Sequence, residues 1–218
     1  MTLSEATSQL TTAANAVTNG ATQIRLLFGA IARLRLPSPP RTDYENLRLD
    51  LMLDLDDATG AHAVLGRRQR IQFHIPDTGV VRDLVWGEGN QLAHYTANGA
   101  KRIFERSEGS RRAVMLGLAH RPARGECATI ATRRVIKQGF LSNVEYWEAV
   151  VERPTKQLSL TVLFPQHRSP LSVRLMSAVT PDRPRNLLVR WTANGRPFVC
   201  WRCRRPVEGC VYRLWWSW

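Results

Sequence analysis

The stretch Leu47-Arg48-Leu49-Asp50-Leu51-Met52-Leu53-Asp54-Leu55 decides the fold class. Leucines hold every odd position, and Arg, Asp and Met hold the even ones. In an extended strand successive side chains point to opposite faces, so this pattern predicts one buried and one wetted face. A helix would scatter the same leucines around its whole circumference. Ile71, Phe73 and Ile75 alternate in the same way with Arg70, Gln72 and His74. Further strand-like runs lie near 81–86, 101–105, 112–119, 126–136, 144–152, 157–164, 187–193, 197–203 and 211–217. Turn formers punctuate them at Asp57–Gly60, Asp77-Thr78-Gly79, Asn98-Gly99, Glu108-Gly109, Arg124-Gly125 and Asn194-Gly195. About twelve short strands at regular spacing predict a mainly β chain, an antiparallel β-sandwich of one large or two smaller lobes.

A different period precedes this region. Leu3, Leu10, Val17, Ile24 and Ile31 repeat every seven residues, and Ala6, Ala13, Gly20, Leu27 and Leu34 repeat three residues later. That is the seam of an amphipathic heptad helix over 1–36. The helix is expected to pair between chains as a homo-oligomer, or to fold back or dock on a protein partner. It is too poor in bulky apolar residues in its first half to bind a membrane surface well. Pro37-Ser38-Pro39-Pro40 ends it, so 37–42 reads as a linker. The β region divides into a lobe over 43–164, a Pro-rich connection over 165–186 and a Trp/Arg-rich segment over 187–218.

The chain has 218 residues, 31 basic against 18 acidic side chains and a formal charge of +13. An apolar fraction of 44% supports a packed core and excludes wholesale disorder. No apolar run is long enough for a spanning helix. Met1-Thr2-Leu3-Ser4-Glu5 carries no basic, apolar leader, which predicts a cytoplasmic location and reduced cysteines. All the basic residues but Lys101, Lys137 and Lys156 are arginines. Guanidinium forks match phosphates and carboxylates, although a GC-rich genome gives the same bias. The excess favours anionic partner surfaces, nucleic acid among them.

Local catalytic motifs are missing. There is no His-Glu-x-x-His pair, no Gly-x-Ser-x-Gly elbow and no phosphate-binding glycine loop. A triad assembled from distant residues would leave no such trace. Cys200-Trp201-Arg202-Cys203 with Cys210 is the most metal-like feature, but residues 200 and 203 point to opposite faces of a strand. Asp54-Leu55-Asp56-Asp57-Ala58-Thr59-Gly60 has only part of a calcium-loop pattern and reads better as an acidic hairpin turn. No catalytic residue, metal site or cofactor is therefore assigned.

The C-terminal strand places Tyr212, Leu214, Trp216 and Trp218 on one face and Val211, Arg213, Trp215 and Ser217 on the other. The first set suits a core. Arg213 and Trp215, with Arg202, Arg204 and Arg205, suit an exposed recognition surface, because guanidinium and indole groups together grip anions and make protein hot spots.

Glu145-Tyr146-Trp147, Pro154-Thr155, Leu158–Val162, Phe164-Pro165, Trp201, Pro206, Gly209, Tyr212, Leu214, Trp216 and Trp218 form a scattered pattern. It resembles β-sandwich modules of bacterial signalling and conflict (defence) proteins, over about residues 43–218. The resemblance implies binding or sensing rather than catalysis. The expected function is thus a non-enzymatic protein-interaction or sensing module. The alternatives are a nucleic-acid-binding protein using Arg and Trp, and a cryptic or metal-dependent hydrolase.

Overall fold

The computed structural model describes residues 43–86, 94–108, 111–178 and 180–218. The heptad segment and the linker that follows it lie outside the described residues. Fourteen strands and no helix make up the described part, so the chain is mainly β, as its alternation predicts.

Three sheets form. The largest has seven strands in the order β12-β13-β9-β1-β2-β7-β4. These are Arg190–Trp191, Pro197–Arg204, Gln157–Leu163, Tyr44–Leu55, His62–Phe73, Cys127–Lys137 and Thr96–Asn98 respectively. A four-stranded sheet runs β11 (Thr180–Asn186), β10 (Ser172–Ser177), β14 (Val211–Ser217), β8 (Val144–Val150). A three-stranded sheet runs β3 (Val80–Val85), β6 (Arg111–Gly117), β5 (Lys101–Glu108). The pairing is not wholly antiparallel: β1 runs parallel to β9, from Leu49 opposite Leu158 to Asp54 opposite Leu163.

Strand β1 carries a bulge between Asn46 and Arg48, which shifts its pairing with β2. One extra residue inverts the alternation on either side of it. Tyr44 and Asn46 therefore point inward before the bulge, and Leu49, Leu53 and Leu55 after it, while Leu47 is only half-buried. The leucine alternation holds from residue 49 and not from 47. The bulge is fastened by Asn46, whose side-chain amide donates to Thr155 Oγ1 at 3.2 Å.

The long strands β1 and β2 pass under two separate cores. One packs Leu53, Leu55, Leu160 and Val162 of the large sheet against Trp147, Leu175, Leu214 and Trp216 of the four-stranded sheet. The other packs Tyr44, Ile71, Phe73 and Ile130 against Val81, Val85, Val114 and Leu116, largely of the three-stranded sheet. The sequence divisions at 164 and 186 do not match the strand pairing. β10 and β11 occupy much of the stretch expected to be a connection, and β13 inserts into the large sheet beside β9. Both are paired through strand registers that propensity alone does not reveal.

Candidate functional site

Between the two cores the large sheet carries a polar stripe. The inward positions of β2 read Ala63, Leu65, Arg67, Gln69, Ile71, Phe73; those of β7 read Ile130, Thr132, Arg134, Ile136. Register places Leu65 opposite Arg134 and Arg67 opposite Thr132, so the polar residues of the two strands lie side by side. Burying such groups between apolar layers is costly unless they find partners, which keeps the two cores from merging over them.

Most of the stripe finds its partner on β3. Asp83, itself buried, accepts from Arg67 Nη1 at 2.6 Å on one carboxylate oxygen. Its other oxygen accepts from the Tyr95 hydroxyl at 2.7 Å and Thr132 Oγ1 at 3.1 Å. Arg67 also donates to Gln69 Oε1 at 3.0 Å. Burial, then the negative charge of Asp83 and its hydrogen bond, push the Tyr95 phenol well above its ordinary value. Burial alone would lower Arg67, but Asp83 and then Glu152 outweigh it and hold the guanidinium charged.

Arg134 differs in making no ion pair among the described residues, although Arg67 too keeps a buried Nε without a partner. Arg134 is 8% exposed, and its Nη1 is buried with no hydrogen-bond partner. Burial, with a smaller contribution from neighbouring Arg67, brings its pKa down to about 10, although Asp83 and Tyr95 pull the other way.

Above this floor the three sheets leave a cleft of about 600 Å³. Its walls include Leu49, Trp86, Phe140, Trp147 and Trp215, and its acids are Asp83, Glu145, Glu148 and Glu152. Glu148 is matched by Arg213, whose Nη2 donates to it at 2.5 Å. Arg213 also lies 4.6 Å over the Tyr146 ring, and Tyr146 stacks on Trp215 with centroids 4.9 Å apart.

The residues expected to form one recognition surface are thus divided. Trp215 lines the cleft, and Arg213 braces its rim through Glu148 rather than standing free. Arg202 and Arg204 are exposed on β13, and Arg205 is exposed just beyond it in a left-handed conformation, φ 52°. The side-chain faces expected for the C-terminal strand are found: Tyr212, Leu214 and Trp216 are buried, and Trp218 packs against the same core. The sequence reading missed Arg67, Asp83, Tyr95, Thr132 and Arg134. The available signal was polar residues in the inward phase of two strands, but β2 begins at His62, well before the alternation recognised from Arg70 onward.

The acidic turn is closed by its own carboxylates. Asp57 accepts from the backbone N–H groups of Thr59 and His62, Asp56 pairs with His62, and Asp54 pairs with Arg196. Cys200 is exposed, while Cys203 and Cys210 stand near the Tyr212 phenol. Among the described residues no group of three His, Cys, Asp or Glu side chains is placed to hold a metal ion. No helix among them is long and apolar enough to cross a membrane.

No protein-family model matches this chain, and no curated protein matches it. Solved structures do. A candidate protease from Parabacteroides distasonis superposes with a TM-score of 0.52 at 8% identity, covering 81% of this chain and 40% of that one. An M1 zinc metallopeptidase from Deinococcus radiodurans gives 0.46 at 13%, covering 82% and 44%. Legionella pneumophila aminopeptidase A, in complex with aspartic acid, gives 0.48 at 12%, covering 84% and 22%. The chain spans less than half the length of these structures. Two are named as peptidases and one as a candidate protease; none is named as a signalling or defence module. This corrects the expectation of a non-enzymatic interaction or sensing module: the fold is one that a protease structure contains. That expectation rested on a scattered-residue resemblance together with the lack of a local motif, and catalytic geometry need not be local in sequence.

Proposed function

We propose that this chain serves peptide hydrolysis, its three sheets forming the substrate-holding body of a peptidase-type hydrolase. The observation that carries the reading is the cleft where the sheets meet, floored by a buried guanidinium that lacks a full set of partners. The likeness in fold to a protease supports it. The volume suits a small ligand or a short peptide segment.

The zinc of the metallopeptidases named above finds no fitting ligand set among the described residues. Tetrahedral zinc needs three or four converging donors. Cys200 stands exposed beside Ser159, whereas Cys210 is buried. No bond-breaking step is assigned to these residues; binding and orientation are what their geometry accounts for. We further propose that residues 3–34, whose heptad pattern lies outside the described residues, attach the body to a partner or a second copy, in a cytoplasmic setting.

The test is turnover. The 218-residue protein is incubated with a defined peptide mixture, with and without added Zn²⁺, and new termini are read by mass spectrometry. New peptides, fewer of them with Arg134→Ala, are expected. Absence of new termini, both with and without Zn²⁺, would overturn the reading.

A further inference from the structure

We propose that the inter-sheet cleft is a carboxylate site, in which Arg134 takes the carboxylate of a small ligand whose apolar or aromatic body lies against Trp86, Trp147 and Trp215. This deepens the reading of the cleft as a place for peptide material and rests on it.

The first support is an imbalance in hydrogen bonding. Asp83 is engaged by Arg67, Tyr95 and Thr132. Arg134, on the neighbouring strand, keeps a buried Nη1 without an acceptor. A buried charged donor left unpaired is expensive, so its retention points to an acceptor that comes from outside. The second support is placement: Arg134 lines a cleft of about 600 Å³ whose other walls are largely apolar and aromatic. Such pockets hold a ligand's body by burial and fix its direction with a few polar groups.

The charge of the ligand follows from the rim. Glu145, Glu148 and Glu152 line the same cleft; Glu148 is paired with Arg213, and Glu152 has Arg82 at 3.9 Å. A singly charged, planar carboxylate meets the guanidinium fork without carrying a second negative charge past these acids. A phosphate dianion does not.

The experiment compares N-acetyl-tryptophan with N-acetyl-tryptophanamide by calorimetry on the 218-residue protein at neutral pH. The two differ in the carboxylate alone. The acid is expected to bind about tenfold or more tightly, and Arg134→Gln to bring the two to equal affinity. Equal binding of acid and amide to the unmodified protein, or binding of neither, overturns the proposal even if Arg134→Gln fails to fold. Phenyl phosphate binding more tightly than the acid overturns the choice of carboxylate. A preference for the acid without peptide turnover would sink the hydrolase reading alone; turnover without that preference would sink this one alone.

Discussion

Arg67 Nη1 lies 2.6 Å from Asp83 Oδ1, joining the middle of the seven-stranded sheet to the three-stranded sheet through a buried ion pair. The same carboxylate also holds Tyr95 and Thr132. Removing one partner of a buried pair leaves the other charge uncompensated, at about 3–5 kcal/mol. Asp83→Ala is therefore expected to lower unfolding free energy by that order in urea titration. Asp83→Asn keeps one acceptor oxygen and the side-chain shape and should cost less than alanine. Equal stability of Asp83→Ala and the parent would show that the pair does not tie the sheets together.

Arg134 should behave in the opposite sense. Its charge is buried with a donor unmatched, so an apolar residue of similar length relieves a penalty. Arg134→Met is expected to stabilise the ligand-free protein by about 1–4 kcal/mol. The pH dependence has a definite sign. The folded state holds this proton less tightly than the unfolded chain, with a pKa near 10, well below an arginine's ordinary value. Between those values the unfolded state binds more protons, so this group's contribution to stability rises with pH. Below about 10 the penalty is constant; above it, the gap between parent and Arg134→Met should narrow. Denaturant titrations of both proteins from pH 7 to 10.5 check this, since other groups cancel in the difference. A gap that widens contradicts the assignment.

These two arginines also mark where sequence reading stopped. Alternation in Leu49–Leu55 and Tyr212–Trp218 is visible because burial on one face is uniformly apolar. The cleft breaks that uniformity: in β2 the inward residues pass from Leu65 to Arg67 and Gln69 and back to Ile71. To periodicity alone, Gly66-Arg67-Arg68-Gln69-Arg70 resembles a polar surface run. Only the register with β7, and Asp83 arriving from another sheet, turn it into a floor. The parallel pairing of β1 with β9 joins residues about a hundred positions apart, a relation no local pattern encodes. The C-terminal arginines are distributed over two sheets for the same reason. Arg202 and Arg213 are close in sequence, yet β13 and β14 belong to different sheets.

The turn joining β1 to β2 is predicted to be intolerant of a side chain at Gly60. Its φ is +76°, and a Cβ there would stand 1.8 Å from the Phe140 carbonyl oxygen. The Gly60 carbonyl accepts from Phe140 N–H, so the two backbones cannot separate freely. Gly60→Ala should cost about 2 kcal/mol or more, read as a fall in the urea midpoint. Asp57 supports the same turn. Burial would raise its pKa, but the Thr59 hydroxyl and the N–H groups of His62, Thr59 and Ala61 outweigh that and hold it below 3.8. A carboxyl lowered on folding stabilises above its unfolded value, and that stabilisation is lost as pH falls through the folded one. Asp57→Ala should therefore be less stable than the parent at pH 6, with the difference shrinking below about pH 4. A difference unchanged down to pH 2.5 would count against the turn depending on the charge.

The arginines of the C-terminal region should separate into two kinds. Arg213 is bonded twice to Glu148 and stacked on Tyr146. Arg213→Ala should cost about 1–3 kcal/mol, because a half-buried carboxylate loses its counter-ion. Arg213→Lys should recover only part, since an ammonium cannot reproduce the planar contact with the ring. Arg202, Arg204 and Arg205 are exposed. Replacing all three with alanine should leave stability within about 0.5 kcal/mol per site, while lowering the salt concentration at which the protein leaves a heparin column. Denaturation and heparin elution, measured on the same two variants, separate the roles. If the triple variant unfolds early while Arg213→Ala keeps its stability and elutes early, the division drawn from the structure is reversed.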